Sequence, residues 1–230
     1  MTPVSRAAAA VAALSLMVGF TVEVVRGDHI FGFYQENSAD KAFELTLSAH
    51  EITVPNEFVP QNNYSSFTDV DTPPGELFEM FGLTLPINDN FTEIADKTTD
   101  LDVSILDENI EVQFNFTLYN KTIGSETDIS ARYFSNTNKL SYRANRGLLP
   151  GEPSEIITLN NGSQCLVTRS LAVFSLDGAH YELRLPYDYD VPDNIDQLPE
   201  KEQYKIVEEM IEAMPGIDTV KQVLADLGAI

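Results

Sequence analysis

Apolar and polar residues alternate with a period of two through most of this chain, which predicts strands rather than helices. The clearest instance is 165–187, where two alternating runs meet at Asp177-Gly178. An Asp-Gly pair suits a two-residue hairpin turn, because both central residues must take positive φ. Such a turn sets Leu176 opposite Ala179, Phe174 opposite Tyr181, Ala172 opposite Leu183 and Ser170 opposite Leu185. That side of the ribbon is apolar. Ser175 with His180, Val173 with Glu182 and Leu171 with Arg184 form the other side, read here as the exposed one. A slip of one residue would exchange the two faces, so the register is strongly held.

The same pattern recurs along the chain. Residues 41–54 alternate, with Phe43, Leu45 and Leu47 inward. Residues 55–75 read as an Asn/Ser/Pro-rich connection, 77–87 as a short buried strand and 88–99 as a polar loop. Two strands within 101–119 flank the turn-like trio Asp107-Glu108-Asn109. In the second, Val112, Phe114, Phe116 and Leu118 share one face, and Glu111, Gln113, Asn115 and Thr117 the other. Residues 129–144 read as a hairpin around 135–138, with Arg132, Phe134, Lys139, Ser141 and Arg143 on its outward face. Residues 155–159 form a further strand.

After Tyr187 the period changes. Residues 188–199 are acidic and punctuated by proline, a linker. Tyr204, Val207, Met210, Ile211 and Met214 then recur at helical spacing until Pro215-Gly216, and Val220, Val223, Leu224 and Leu227 line a second helix. The expected fold is mainly β: an antiparallel β-sandwich or barrel of about nine strands over 28–187. A short C-terminal helix pair, 200–230, would cap an edge or an open end.

Residues 1–27 follow neither period. Arg6 precedes an uncharged apolar run that Glu23 and Arg26 close, the pattern of a signal peptide or, if uncleaved, an N-terminal anchor. The run is shorter than the roughly 20 residues of a spanning helix, which favours cleavage near Asp28. The expected location is secreted or on the extracytoplasmic face of a membrane. Five Asn-x-Ser/Thr sequons, at Asn63, Asn90, Asn115, Asn120 and Asn161, suit a secretory glycoprotein.

Composition narrows the picture further. A chain of 230 residues with 43% hydrophobic content builds a real core. A formal net charge of -22 argues against nucleic acid and against an anionic membrane surface as partners. The single cysteine, Cys165, precludes an intrachain disulfide. Alternation places it with Val167, Leu171 and Val173, as a small buried hydrophobe.

Candidate chemistry is sparse. Asp188, Asp190, Asp193 and Asp196 crowd one loop, and oxygen ligands on a loop suit calcium. They lack the Gly and closing Glu of an EF-hand, so a solvated acidic linker explains them as well. Ser175 beside His180 has no strained nucleophile turn and is not read as catalytic. Among 36 acids, close carboxylate pairs are inevitable and identify no glycosidase site. The sharper feature is the acid-free interval 129–151, where Arg132, Lys139 and Arg143 surround Phe134. It reads as a docking face for an acidic protein, an acidic glycan or a second copy of the chain.

These features fit a non-enzymatic extracytoplasmic glycoprotein, a binding module or a structural subunit of a surface assembly. The alternative is a β-barrel carrier of a small apolar ligand, and a lesser one an enzyme with dispersed carboxylates. No motif carries a family resemblance.

Overall fold

The computed structural model describes residues 41–136, 143–146, 148–149, 151–192 and 195–230, with the backbone alone described at 41, 42, 44, 143–146 and 196. The expected leader, 1–27, lies outside the described residues. In chain order the strands are β1 Lys41–Glu44, β2 Tyr64–Val70, β3 Phe91–Glu93, β4 Thr99–Leu106, β5 Asn109–Asn120, β6 Ser125–Phe134, β7 Arg143–Arg146, β8 Ser154–Thr158, β9 Gln164–Thr168, β10 Leu171–Leu176 and β11 Ala179–Arg184. The α-helices are α1 Pro74–Met80, α2 Glu200–Ala213 and α3 Ile217–Asp226.

Two antiparallel meanders, β4-β5-β6 and β8-β9-β10-β11, join where β11 pairs with β6. The result is a nine-stranded open sheet with β2 at one edge and β8 at the other. The long β5 is flanked on one side by two strands in succession, β4 along its first half and β3 at its end.

The turns explain the registers. Asp177 and Gly178 both have positive φ, and the six expected pairs between Leu171–Leu176 and Ala179–Arg184 are observed, with the Leu185 N–H donating to Ser170 O (2.8 Å) just beyond them. Between β4 and β5 the turn is Asp107-Glu108 alone, since Leu106 pairs with Asn109. The run 165–176 is two strands, not one. The Thr168 hydroxyl accepts from the backbone N–H of Ser170 (3.4 Å) and Leu171 (3.2 Å) and turns the chain there. Val167 therefore pairs with Ala172. Cys165 and Val167 join Ala172 and Phe174 in the core, not Leu171 and Val173.

Three other expectations give way. Residues 77–87 do not form a strand: Pro74 starts α1, and Leu77, Phe78 and Phe81, at helical spacing, are all fully buried. Short strands β2 and β3 lie within the stretches read as connection and loop. The hairpin over 129–144 does not form, because β6 ends at Phe134 and β7 pairs with β1.

One face of the sheet is hydrophobic across all its central strands. Leu101, Val103, Val112, Phe114, Ala131, Tyr133, Phe174 and Leu183 share one core with α1, whose Phe78 stacks on Phe114 with ring centroids 4.1 Å apart and meets Phe116 and Tyr133 edge-on. Val220, Val223 and Leu224 place α3 in this same core, whereas α2 builds a smaller cluster with Ile195. Arg169 fastens the junction of the two helices by donating to the carbonyls of Met214 (3.2 Å) and Glu212 (3.4 Å) at the α2 C-terminus.

The opposite face is polar over β4, β5 and β6 but not over β9 and β10. There Leu166, Leu171 and Val173 pack against Phe43, Leu45 and Leu148. The side read as exposed is thus covered by β1 and the segment after it, which is tied on by the N–H of Ser48 donating to Gly178 O (2.9 Å) and that of His50 to Phe134 O (2.8 Å). Among the described residues no helix is long and apolar enough to cross a membrane.

Candidate functional site

An apolar recess of about 280 Å³, solvent-open space included, enters the core face of the sheet. Its floor follows from the registers. Phe116 pairs with Ile129 and Ile129 with Leu183, so three strands present one unbroken hydrocarbon row. Phe174, Leu176 and Tyr181 extend it onto the β10–β11 hairpin. Leu85, Pro86 and Ile87, from the segment after α1, and Leu227, at the end of α3, form the opposite wall. Leu85, Pro86 and Ile87 were missed in the sequence because 77–87 reads as a strand. The signal that finds them is Leu77, Phe78 and Phe81 repeating at three and four residues after two prolines.

The one polar atom carried by a lining side chain is engaged elsewhere. The hydroxyls of Tyr181 and Tyr133 are hydrogen-bonded to each other at 2.5 Å. Burial pushes the Tyr133 hydroxyl up to about 12 and the Tyr181 hydroxyl well above its ordinary value, so both are neutral at physiological pH.

The alternate residues build a polar row on the other face. Across β2, β4, β5, β6, β11 and β10 the register aligns Ser66, Asp102, Gln113, Arg132, His180 and Ser175. Arg132 forms an ion pair with Glu111 (3.0 Å) and donates to Gln113 Oε1. Gln113 in turn donates to Asn115 Oδ1 (3.0 Å) and Ser130 Oγ (3.1 Å). Tyr64 donates to Asp102 at 2.8 Å, near the sheet edge.

This placement corrects the docking face. Arg132 is 8% exposed and Phe134 2%, so neither projects outward. Arg143 lies in β7 beside β1, away from β6, and Lys139 lies outside the described residues. The acid-free interval misled because Arg132 finds its partner, Glu111, across the sheet and not along the sequence. Ser175 and His180 are paired as expected but buried, and the Ser175 hydroxyl meets no hydrogen-bond partner among the described residues, so the two form no dyad.

The remaining candidates are dispersed. Asp188 and Asp190 are exposed, while Asp193 and the side chain of Asp196 lie outside the described residues. Among the described residues no group of three or more His, Cys, Asp or Glu is arranged to hold a metal ion. Burial drives the Cys165 thiol up to about 12, which suits a packing role. Asn63, Asn90 and Asn161 are exposed, Asn115 is half-buried, and Asn120 is 0% exposed. Asn120 donates to Asp226 Oδ2 (3.0 Å) and accepts from the N–H of Thr122 (2.8 Å) and Ile123 (3.1 Å), so the fold leaves no room for a glycan there.

No protein-family model, curated protein or solved structure matches the chain.

Proposed function

We propose that this chain is a binding module whose site is the apolar recess, and that its ligand is a small apolar molecule. The observation that carries this reading is the hydrocarbon row Phe116–Ile129–Leu183, left open toward Leu176 and Leu227 although the rest of the core face is filled by α1 and α3. Ligand pockets are mostly apolar, and this lining shares that character, but the space in which a water-sized sphere can be centred is only about 10 Å³, so a guest enters by displacing the rim at Leu176 and Leu227. A water held there would lack the two or more polar partners it needs. An apolar guest loses nothing in hydrogen bonding and removes both its own surface and the lining from water. With the tyrosine hydroxyls committed to each other, the chemistry supported is binding, not turnover.

The test is titration with 1-aminoanthracene, a small neutral fluorophore, on wild type and Leu176→Trp. Leu176 is a half-buried lining residue, so the larger ring occupies the recess without replacing a fully buried side chain. Saturable wild-type binding that weakens at least about tenfold in the variant, at an unchanged unfolding midpoint, is the expected result. Absence of saturable binding, or equal binding by the variant, overturns the proposal.

A further inference from the structure

We infer that Asn63 is an acceptor of an N-linked oligosaccharide and that this glycan covers the β2 edge of the sheet. The inference rests on the sequence reading that the chain is exported, and the experiment below separates the two. A glycan replaces one hydrogen of the Asn Nδ2 and brings a sugar ring against that atom, so the nitrogen must face solvent. Four of the five sequons have side chains committed to the fold. Nδ2 of Asn120 donates to Asp226 Oδ2 (3.0 Å), that of Asn161 to Ser175 O (3.1 Å) and that of Asn90 to Asp226 O (3.3 Å). Asn115 accepts from Gln113 within the half-buried polar row. Asn63 is exposed, and among the described residues its side chain makes no hydrogen bond. Only its carbonyl is used, accepting from the N–H of Ile105 (2.7 Å). Its φ of 36° swings the residue out of line just before β2, a conformation that Asn tolerates better than most residues.

A second observation says what the glycan does. Among the described residues the three most exposed large apolar side chains are Leu106 (57%), Tyr64 (50%) and Val59 (48%). Tyr64 follows Asn63 directly, Leu106 ends the strand whose Ser104 pairs with Tyr64, and Val59 precedes it by one short loop. Among the described residues β2 ends the sheet, which leaves its outer backbone groups open to pairing with another chain. These three most exposed side chains and one open edge thus coincide at the one sequon whose side chain makes no hydrogen bond among the described residues. A bulky hydrophilic group there blocks edge-to-edge association.

The full chain is expressed in a eukaryotic secretory host twice, with its own N-terminus and behind an added cleavable leader, and the folded secreted product is mapped by glycopeptide mass spectrometry. The expected result is occupancy at Asn63 and none at Asn120. Asn63→Gln should lose that mass and scatter light as oligomers at concentrations where wild type is monomeric, while Asn161→Gln remains monomeric. A chain secreted behind the added leader with Asn63 bare, or with Asn120 occupied, overturns the inference. If only the chain with its own N-terminus stays inside and unmodified, the export reading fails and the acceptor assignment stands. An Asn63→Gln protein that stays monomeric overturns the covering role.

Discussion

The backbone N–H of Ser48 donates to the carbonyl of Gly178 at 2.9 Å, fastening the tip of the β10–β11 hairpin to the segment that covers its outer face. Gly178 is required there twice over. Its φ is +83°, and a Cβ at this position would lie 2.5 Å from Ser48 Cβ and 3.0 Å from Ser48 N. Gly178→Ala should cost about 1 kcal/mol for the backbone and about 1–3 kcal/mol more for the clash. Ser48→Gly removes the side-chain half of that clash, so the double variant should recover part of the loss in a urea-denaturation cycle. An Ala variant as stable as wild type would mean that the covering segment is not seated on the turn.

The same pair of residues shows where sequence reading succeeds. Asp177-Gly178 carries its own turn geometry, and the β10–β11 register follows from it residue by residue. Long-range cover does not announce itself in this way. Ser48 is far from Gly178 in sequence, and nothing in the alternation of 165–187 says that a separate strand lies over its second face. The hairpin over 129–144 failed for the same reason: β7 has the pattern of a strand, but its partner is β1, not the adjacent β6. The turn at Thr168 was missed because a side-chain hydroxyl, not Gly or Pro, reverses the chain. The recess was half legible. Of its floor, Phe116 on the apolar face of β5 and Phe174 and Tyr181 on the hairpin were visible in the alternation, whereas Leu85, Pro86 and Ile87 of its wall follow a helix hidden behind Pro73-Pro74-Gly75.

The buried tyrosine pair makes stability sensitive to alkali. Tyr133 titrates near its ordinary value of 10 in the unfolded chain but is pushed up to about 12 in the fold, mainly by burial. Below pH 10 both states hold the proton, and the group contributes no pH dependence. Between 10 and 12 the unfolded chain binds fewer protons, so stability falls as pH rises. Two units correspond to about 3 kcal/mol from this residue, and Tyr181 acts in the same direction. Tyr133→Phe should be less stable at neutral pH by about 1 kcal/mol, for the lost hydroxyl bond, yet show a shallower alkaline decline. Thermal midpoints measured from about pH 8 to about pH 12 on both proteins check this. Parallel curves would mean that the hydroxyls are not buried together.

Arg132 separates a folding role from a docking role. Its side chain is 10% exposed, forms an ion pair with Glu111 and donates to Gln113, whose amide continues to Asn115 and Ser130. Reversing it to Glu sets a carboxylate against Glu111 and the Gln113 oxygen, and His180, opposite in the register, is buried as well. Breaking a fully buried pair costs about 3–5 kcal/mol, and the loss here should fall at or below the lower end of that range, because the Glu111 side chain is 38% exposed. Arg132→Lys keeps the charge but loses the planar fork that reaches two acceptors at once, and should cost about 1–2 kcal/mol. Denaturant midpoints should therefore fall in the order wild type, Lys, Glu. The loss should change only modestly with salt, because the Arg132 side chain is buried and only Glu111 is partly open to water. A surface cation gives the opposite result: Arg132→Glu would keep the wild-type midpoint, and any effect would appear in association at low salt. That outcome would return Arg132 to the exposed face that the acid-free interval 129–151 suggests.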